Sequence, residues 1–127
     1  MIYRKRFAEA RESVSAARRF AATTLKGMPS DIVDSVTLMV SELATNAVSH
    51  ATSAFEVEID RQPGQVLVNV FDNDSHSATR MAHATLDPSG RGLQIVGSLS
   101  DDWGVRRPVP GWKKAVWFSM RLPPLAD

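Results

Sequence analysis

Two polar residues, Glu42 and Asn46, stand four positions apart in the segment 41–51 (SELATNAVSHA). Side chains at this spacing lie on one face of a helix, where they can reach the same ligand or ion. A carboxamide oxygen suits Mg²⁺, which prefers oxygen donors, and a nearby carboxylate can orient or deprotonate a nucleophile. On spacing alone, a satisfied polar pair at a helix edge explains these residues more simply.

Asp72 is a second candidate, because it ends the run QVLVNVFD, in which valines alternate with other residues. A carboxylate at the end of a strand can accept a hydrogen bond from an exocyclic amine such as that of adenine. An ordinary turn residue after a strand is the alternative, and aspartate is common there.

A third candidate is Gly90, Arg91 and Gly92, which precede Leu93 and the apolar positions of a short helix. Glycines allow the backbone to approach a ligand closely, and the free N–H groups at a helix start favour phosphate. A simple helix N-terminal turn explains the pair of glycines equally well. The three-glycine fingerprint of dinucleotide-binding folds is not present.

Other chemistries find little support in the composition. The chain has no cysteine, which fits a reducing cytoplasm and excludes thiolate chemistry. Its three histidines show no zinc-ligand spacing, and no serine lies in a G-x-S-x-G motif. A formal net charge of +1 makes nucleic acid an unexpected partner. Neither a membrane span nor a secretory signal is expected, because apolar runs are short.

The elements that must position these residues follow from periodicity. Helices are predicted over 9–26, over 32–50 and from Gly90 onward, where Leu93, Val96 and either Leu99 or Ile95 form the apolar face. Alternating segments predict one hairpin from 54–61 and 65–72, and a second from 103–109 and 114–122. The three tryptophans are expected to pack the edge of the second hairpin.

Residues 1–127 are therefore predicted to form one α+β domain, a two-layer sandwich with helices on one face of a mixed, mainly antiparallel sheet. The long polar stretch after Asp72 is predicted to be a functional or mobile loop.

The order of the segments resembles the histidine-kinase-like (GHKL or Bergerat) ATP-binding family. SELATNAVSHA is similar to its N box, VNVFDND to its first glycine box, GRGLQIV to its second, and GWKKAVWFSM to its closing strand. SVSAARRF resembles the first helix of one branch, the small bacterial anti-sigma factors that are also serine-protein kinases. The resemblance covers nearly the whole chain and implies a Bergerat-type ATPase fold.

The resemblance also implies roles for individual residues. Asn46 would ligate Mg²⁺, Glu42 would activate the attacking hydroxyl, and Asp72 would bind the adenine amine of ATP or ADP. The phosphates would lie beside the second glycine box, under a lid drawn from 75–89; its cofactor-binding residues would be Gly90, Arg91, Gly92 and Leu93.

Partners are implied in the same way. They are a sigma factor, held away from RNA polymerase, and an antagonist protein phosphorylated on serine or threonine. Arg18 would grip the partner, although a solvated helix face is the simpler interpretation of Arg18 and Arg19. A homodimer is possible, as in related proteins.

One departure from the family pattern leaves alternatives open. Where the family has D-x-G-x-G, this chain has Asp72, Asn73, Asp74, Ser75 and His76, without either glycine. A regulatory binding module of the same fold, with weak or no nucleotide binding, is therefore the main alternative to a kinase. A third reading is the detached ATPase domain of a two-component histidine kinase.

Overall fold

The computed structural model describes residues 1–50, 54–74 and 88–124, with only the backbone described for His50 and for residues 88–91. Five strands form one sheet in the order β1-β2-β3-β5-β4. The strands are β1 (Ile2–Phe7), β2 (Phe55–Gln62), β3 (Gln65–Asp72), β4 (Asp102–Arg106) and β5 (Lys114–Arg121), and the helices of the described chain are α1 (Glu12–Thr24), α2 (Ser30–His50) and α3 (Pro88–Leu99). The predicted α+β class is confirmed, and the neighbouring strands pair antiparallel throughout the described sheet.

The helices cover one face of the sheet, and the core lies between the two layers. Alternate residues of the central strands point into this core and are buried: Phe55, Val57, Ile59, Val66, Val68, Val70, Val116, Phe118 and Met120. The whole predicted apolar stripe of α2 is buried against them: Ile32, Val36, Met39, Val40, Leu43 and Ala47. Each of the side chains larger than alanine contributes about 1.5–3 kcal/mol through burial, so α2 is firmly fixed on the sheet.

Strand β1 was not predicted from the sequence, since four of its residues are exposed and only Phe7 is buried. It forms the edge beside β2, in register from Ile2 opposite Asp60 to Phe7 opposite Phe55. On the outer face, Arg4 forms ion pairs with Glu56 (2.9 Å) and Glu58 (3.5 Å) of β2. Cross-strand charge pairs and backbone hydrogen bonds, rather than an apolar alternation, therefore define this strand.

Helix α3 starts earlier than predicted. It begins at Pro88, so Gly90 and Gly92 lie inside its first turns instead of ahead of it. Of its predicted apolar residues, Leu93 and Val96 are buried, Ile95 is partly buried, and Leu99 is exposed. The alternative with Ile95 is thus the correct one.

The remaining differences concern element ends and the tryptophans. Helix α1 spans Glu12–Thr24 instead of 9–26, and α2 begins at Ser30 instead of 32. Trp112 is buried with Phe71 and Ala115 on the outer face of the sheet, while Trp103 and Trp117 are partly buried, as expected for the second hairpin. No helix in the described ranges combines the length and the apolar character needed to cross a membrane.

Candidate functional site

A small cavity lies at the end of the sheet where β3 ends and β5 begins. Its walls come from four separated elements: Leu43 and Asn46 of α2, Val70 and Asp72 of β3, Leu93 of α3, and Lys114 and Val116 of β5. Three residues selected from the sequence, Asn46, Asp72 and Leu93, therefore meet at one place. The cavity measures about 10 Å³, which is room for about one water molecule.

Asn46 and Gly92 hold α2 and α3 in close contact at this cavity. Asn46 is 8% exposed, and a Cβ atom added to Gly92 would lie 2.8 Å from its Nδ2. A Cβ atom at this position would require the Asn46 side chain to shift, so glycine lets α3 pack this closely on Asn46 without displacing its carboxamide. The contact between the two helices is thus enough to explain a glycine at position 92. The close approach of its backbone to a ligand, which the sequence predicts, is not needed for that explanation.

The start of α3 has the free backbone N–H groups that the sequence predicts near Gly90. The first four N–H positions of a helix, counted from its N-cap, have no partner within the helix, and Gly90, the third residue of α3, is the last of them. Its N–H group can therefore bind an anion, with help from the helix dipole. The proposed lid, 75–89, lies outside the described residues except for its last two, which begin α3.

Asp72 belongs to a buried charged cluster that the sequence reasoning did not identify. Lys114 faces it across the β3–β5 pair, and its Nζ lies 3.7 Å from Asp72 Oδ1 and 3.4 Å from Asp74 Oδ2. The backbone N–H of Asp74 donates to Asp72 Oδ1 at 2.9 Å. Lys114, Asp72 and Asp74 are only 2%, 4% and 3% exposed.

The environment of Asp72 raises the pKa of its carboxyl above the ordinary value of 3.8. Burial is the main cause, because removing the carboxylate from water disfavours its charged form. The positive charge of Lys114 and the hydrogen bond from Asp74 act in the opposite direction. A signal for Lys114 was present in the sequence: it occupies the same face of β5 as Val116, Phe118 and Met120, all of which are buried.

A family comparison agrees with this arrangement. A model of the histidine kinase-like ATPase domain matches residues 7–120. The chain belongs to this family. Membership of the histidine kinase-like ATPase domains points to ATP binding and supports the resemblance seen in the sequence. A comparison with curated proteins finds no match.

Glu42 and Arg18 are not among the described residues that line the cavity. Glu42 is half-buried, one turn before Asn46 on α2. Arg18 is exposed on α1, and its Nη2 donates to Ser41 Oγ at 2.9 Å. Ser41 is the residue before Glu42 in the chain. The exposed surface of α1 and the candidate site are therefore adjacent in this histidine kinase-like ATPase domain.

The residues at the cavity match the hydrogen-bonding groups of a nucleotide base, but the cavity is too small for a base. Asp72 offers an acceptor and Lys114 a donor on the same wall, which suits the polar edge of a purine. A cavity that holds about one water cannot hold a purine ring. The described walls, above all Leu93 on α3, would have to separate from α2 and the sheet to admit one.

For Mg²⁺, the chemistry of the donors also fits in part. Asn46 places one carboxamide at the cavity, and the described residues include no group of three or more His, Cys, Asp or Glu side chains able to hold a metal ion. Mg²⁺ is commonly bound by one or two protein oxygens together with waters and substrate phosphates. The site therefore suits a Mg²⁺ ion that arrives with a nucleotide.

The substitution Gly92→Ala tests the contact between α2 and α3. We expect it to displace the Asn46 carboxamide and to lower the free energy of unfolding by about 1–2 kcal/mol, measured by urea denaturation. Gly97→Ala on the same helix is the control. Its Cβ would meet Trp103 at 3.4 Å, and alanine favours a helix over glycine by about 0.5–1 kcal/mol. Equal stability of the two variants would contradict the packing role of Gly92.

Proposed function

We propose that this histidine kinase-like ATPase domain is a serine/threonine protein kinase that also acts as an anti-sigma factor. It would bind ATP with Mg²⁺, phosphorylate an antagonist protein, and sequester a sigma factor. The observation that carries the nucleotide part is the meeting of Asn46, Asp72 and Leu93 of α3 around one cavity in a chain of this family.

Each group has a distinct part in the proposed reaction. Asp72 accepts a hydrogen bond from the base, the N–H group of Gly90 binds the phosphates, and Arg91 borders them. Asn46 would hold Mg²⁺, which supplies positive charge against the phosphate oxygens. Such a division suits phosphoryl transfer, which depends mainly on positioning and on neutralising charge.

Glu42 is the proposed base. Its carboxylate takes the proton of the acceptor hydroxyl as the hydroxyl oxygen bonds to the γ-phosphorus. The bond from that phosphorus to the β,γ-bridging oxygen breaks, and ADP leaves with the bond's electron pair. Glu42 follows Ser41, which the exposed Arg18 of α1 contacts. This position favours an acceptor hydroxyl on a partner protein.

The partner part of the proposal rests on the surface next to this site. Arg18 is exposed and lies against Ser41, one residue from Glu42. A protein held at Arg18 would therefore lie close to the proposed base. The sigma factor and the antagonist protein are proposed from the sequence resemblance, and the cytoplasm is the corresponding compartment.

A second candidate function is a regulatory binding module that does not use nucleotide. Two observations favour it: the cavity has room for only about one water, and the residues after Asp72 lack the family's glycines. In that case the fold would present the α1 surface to a partner, and the charged cluster would only stabilise the end of the sheet.

Calorimetric titration with ADP and ATP in the presence of Mg²⁺ separates the two candidates. We expect micromolar binding for the wild type and a clear loss for Asn46→Ala with ATP. Thr45→Ala is the matched control, because Thr45 is exposed next to Asn46 on the same helix. The absence of any binding to the wild type would remove the kinase proposal and leave the binding module.

A further inference from the structure

The buried Lys114 has a position that core packing does not explain. Asp72 and Lys114 are directly opposite each other, and the rung below them on the same wall is the apolar pair Val70 and Val116. Lysine is almost never fully buried unless it is paired, and burying a charge carries a large desolvation cost. Another apolar pair would fill this place without that cost, so we looked for a functional reason for the charged pair.

Two contacts of the cluster are made through one oxygen of the Asp72 carboxylate. The Asp74 N–H donates to Oδ1, and Lys114 Nζ also lies nearest to Oδ1. Asp72 and Lys114 also both line the cavity, whereas Asp74 is not among its described lining residues. The cavity wall thus presents a hydrogen-bond acceptor and a cationic donor side by side.

We propose that Lys114 recognises the base of the bound nucleotide, donating from Nζ to ring nitrogen N1 of adenine while Asp72 accepts from the 6-amino group. This inference rests on the proposed function and adds a residue that determines specificity. Adenine offers a donor and then an acceptor along this edge, in the order that matches Asp72 and Lys114. Guanine offers the reverse: its O6 would face the carboxylate, and its N1–H would face the ammonium.

Such a pair rejects the wrong base strongly because its own groups are buried. A site built to hydrogen-bond a ligand leaves those groups unpaired when the ligand lacks the matching atoms. Asp74 is a second carboxylate beside Lys114, with its Oδ2 3.4 Å from Nζ. Of the two carboxylates, only Asp72 lines the cavity among the described residues.

Nucleotide analogues test this inference directly. We expect the wild type to bind ADP about 10- to 100-fold more tightly than 1-deaza-ADP, in which a C–H replaces N1, and to bind GDP still more weakly. The readout is the dissociation constant by calorimetry, so no catalytic activity is needed. Equal affinity of the wild type for ADP and 1-deaza-ADP would overturn the inference without any variant.

A variant then assigns the effect to Lys114. Lys114→Met keeps the length of the side chain and removes the donor; we expect it to bind ADP about 10- to 100-fold more weakly and to distinguish 1-deaza-ADP no longer. Lys113→Met is the matched control, since Lys113 is the exposed neighbour, and it should behave as wild type. Circular dichroism and thermal unfolding test whether each variant is folded.

The results distinguish a failure of this inference from a failure of the proposed function. If the wild type binds no nucleotide, both the kinase proposal and the role of Lys114 are wrong. If it binds ADP and Lys114→Met keeps full affinity and full discrimination against 1-deaza-ADP, only the role of Lys114 falls. Should Lys114→Met fail to fold, Lys114→Arg retains a cationic donor, and retained discrimination in that variant supports the inference while its loss opposes it.

Discussion

Replacing Glu42 by glutamine should lower the rate of phosphoryl transfer by about 10²- to 10⁴-fold, the usual contribution of a general base. Glutamine has nearly the same shape but cannot take the proton of the acceptor hydroxyl. The measurement is transfer of the labelled γ-phosphoryl group of ATP to a protein acceptor that co-purifies with the wild-type domain. Nucleotide affinity should stay close to wild type, since Glu42 is not among the described residues that line the cavity.

The control for this experiment is Glu12→Gln, which makes the same change of charge on exposed α1, away from the cavity. It should leave both transfer and binding unchanged. If Glu42→Gln transferred phosphate at the wild-type rate, Glu42 would not be the base. A loss of ADP binding in Glu42→Gln would instead indicate that Glu42 helps to shape the site.

Much of the fold could be predicted because its central elements bury regular patterns. The stripe of α2 and the alternation in β2, β3 and β5 place the same residues in the core that the structure buries there. These patterns are dictated by the periods of helix and strand, so local sequence suffices to find them. The meeting of Asn46 with Asp72 depended further on the order of motifs shared with a known family.

The features that were missed depend on tertiary pairing. Strand β1 carries charges along most of its length, and its place becomes visible only through its partners on β2. Lys114 was overlooked for a related reason. Its partner Asp72 lies 42 positions earlier in the chain, and the register of β3 with β5 brings the two together. The early start of α3 shows that proline was the stronger start signal, consistent with its preference for the first helical turn.

Comparing Asp72→Asn with Asp74→Asn should separate base recognition from the charge balance of the buried cluster. Both variants remove one carboxylate beside Lys114 and leave it the other. Only Asp72 lines the cavity among the described residues, so Asp72→Asn should weaken ADP binding by about 10- to 100-fold, and Asp74→Asn by less than about threefold. Equal losses in the two variants would mean that total charge, rather than a contact with the base, determines affinity.

The raised pKa of Asp72 adds a test by pH. A buried carboxyl whose pKa lies above 3.8 takes up its proton at higher pH than in the unfolded chain. Its contribution to stability is therefore fully present below 3.8 and is lost as the pH rises through the raised value. The affinity for ADP should change with pH in the opposite direction, increasing as the pH rises, because only the ionised carboxylate is a full acceptor for the amine. As the pH falls through this window, the wild type should gain stability relative to Asp72→Asn while its affinity for ADP decreases, and an affinity that stays constant across the window would show that Asp72 does not contact the base.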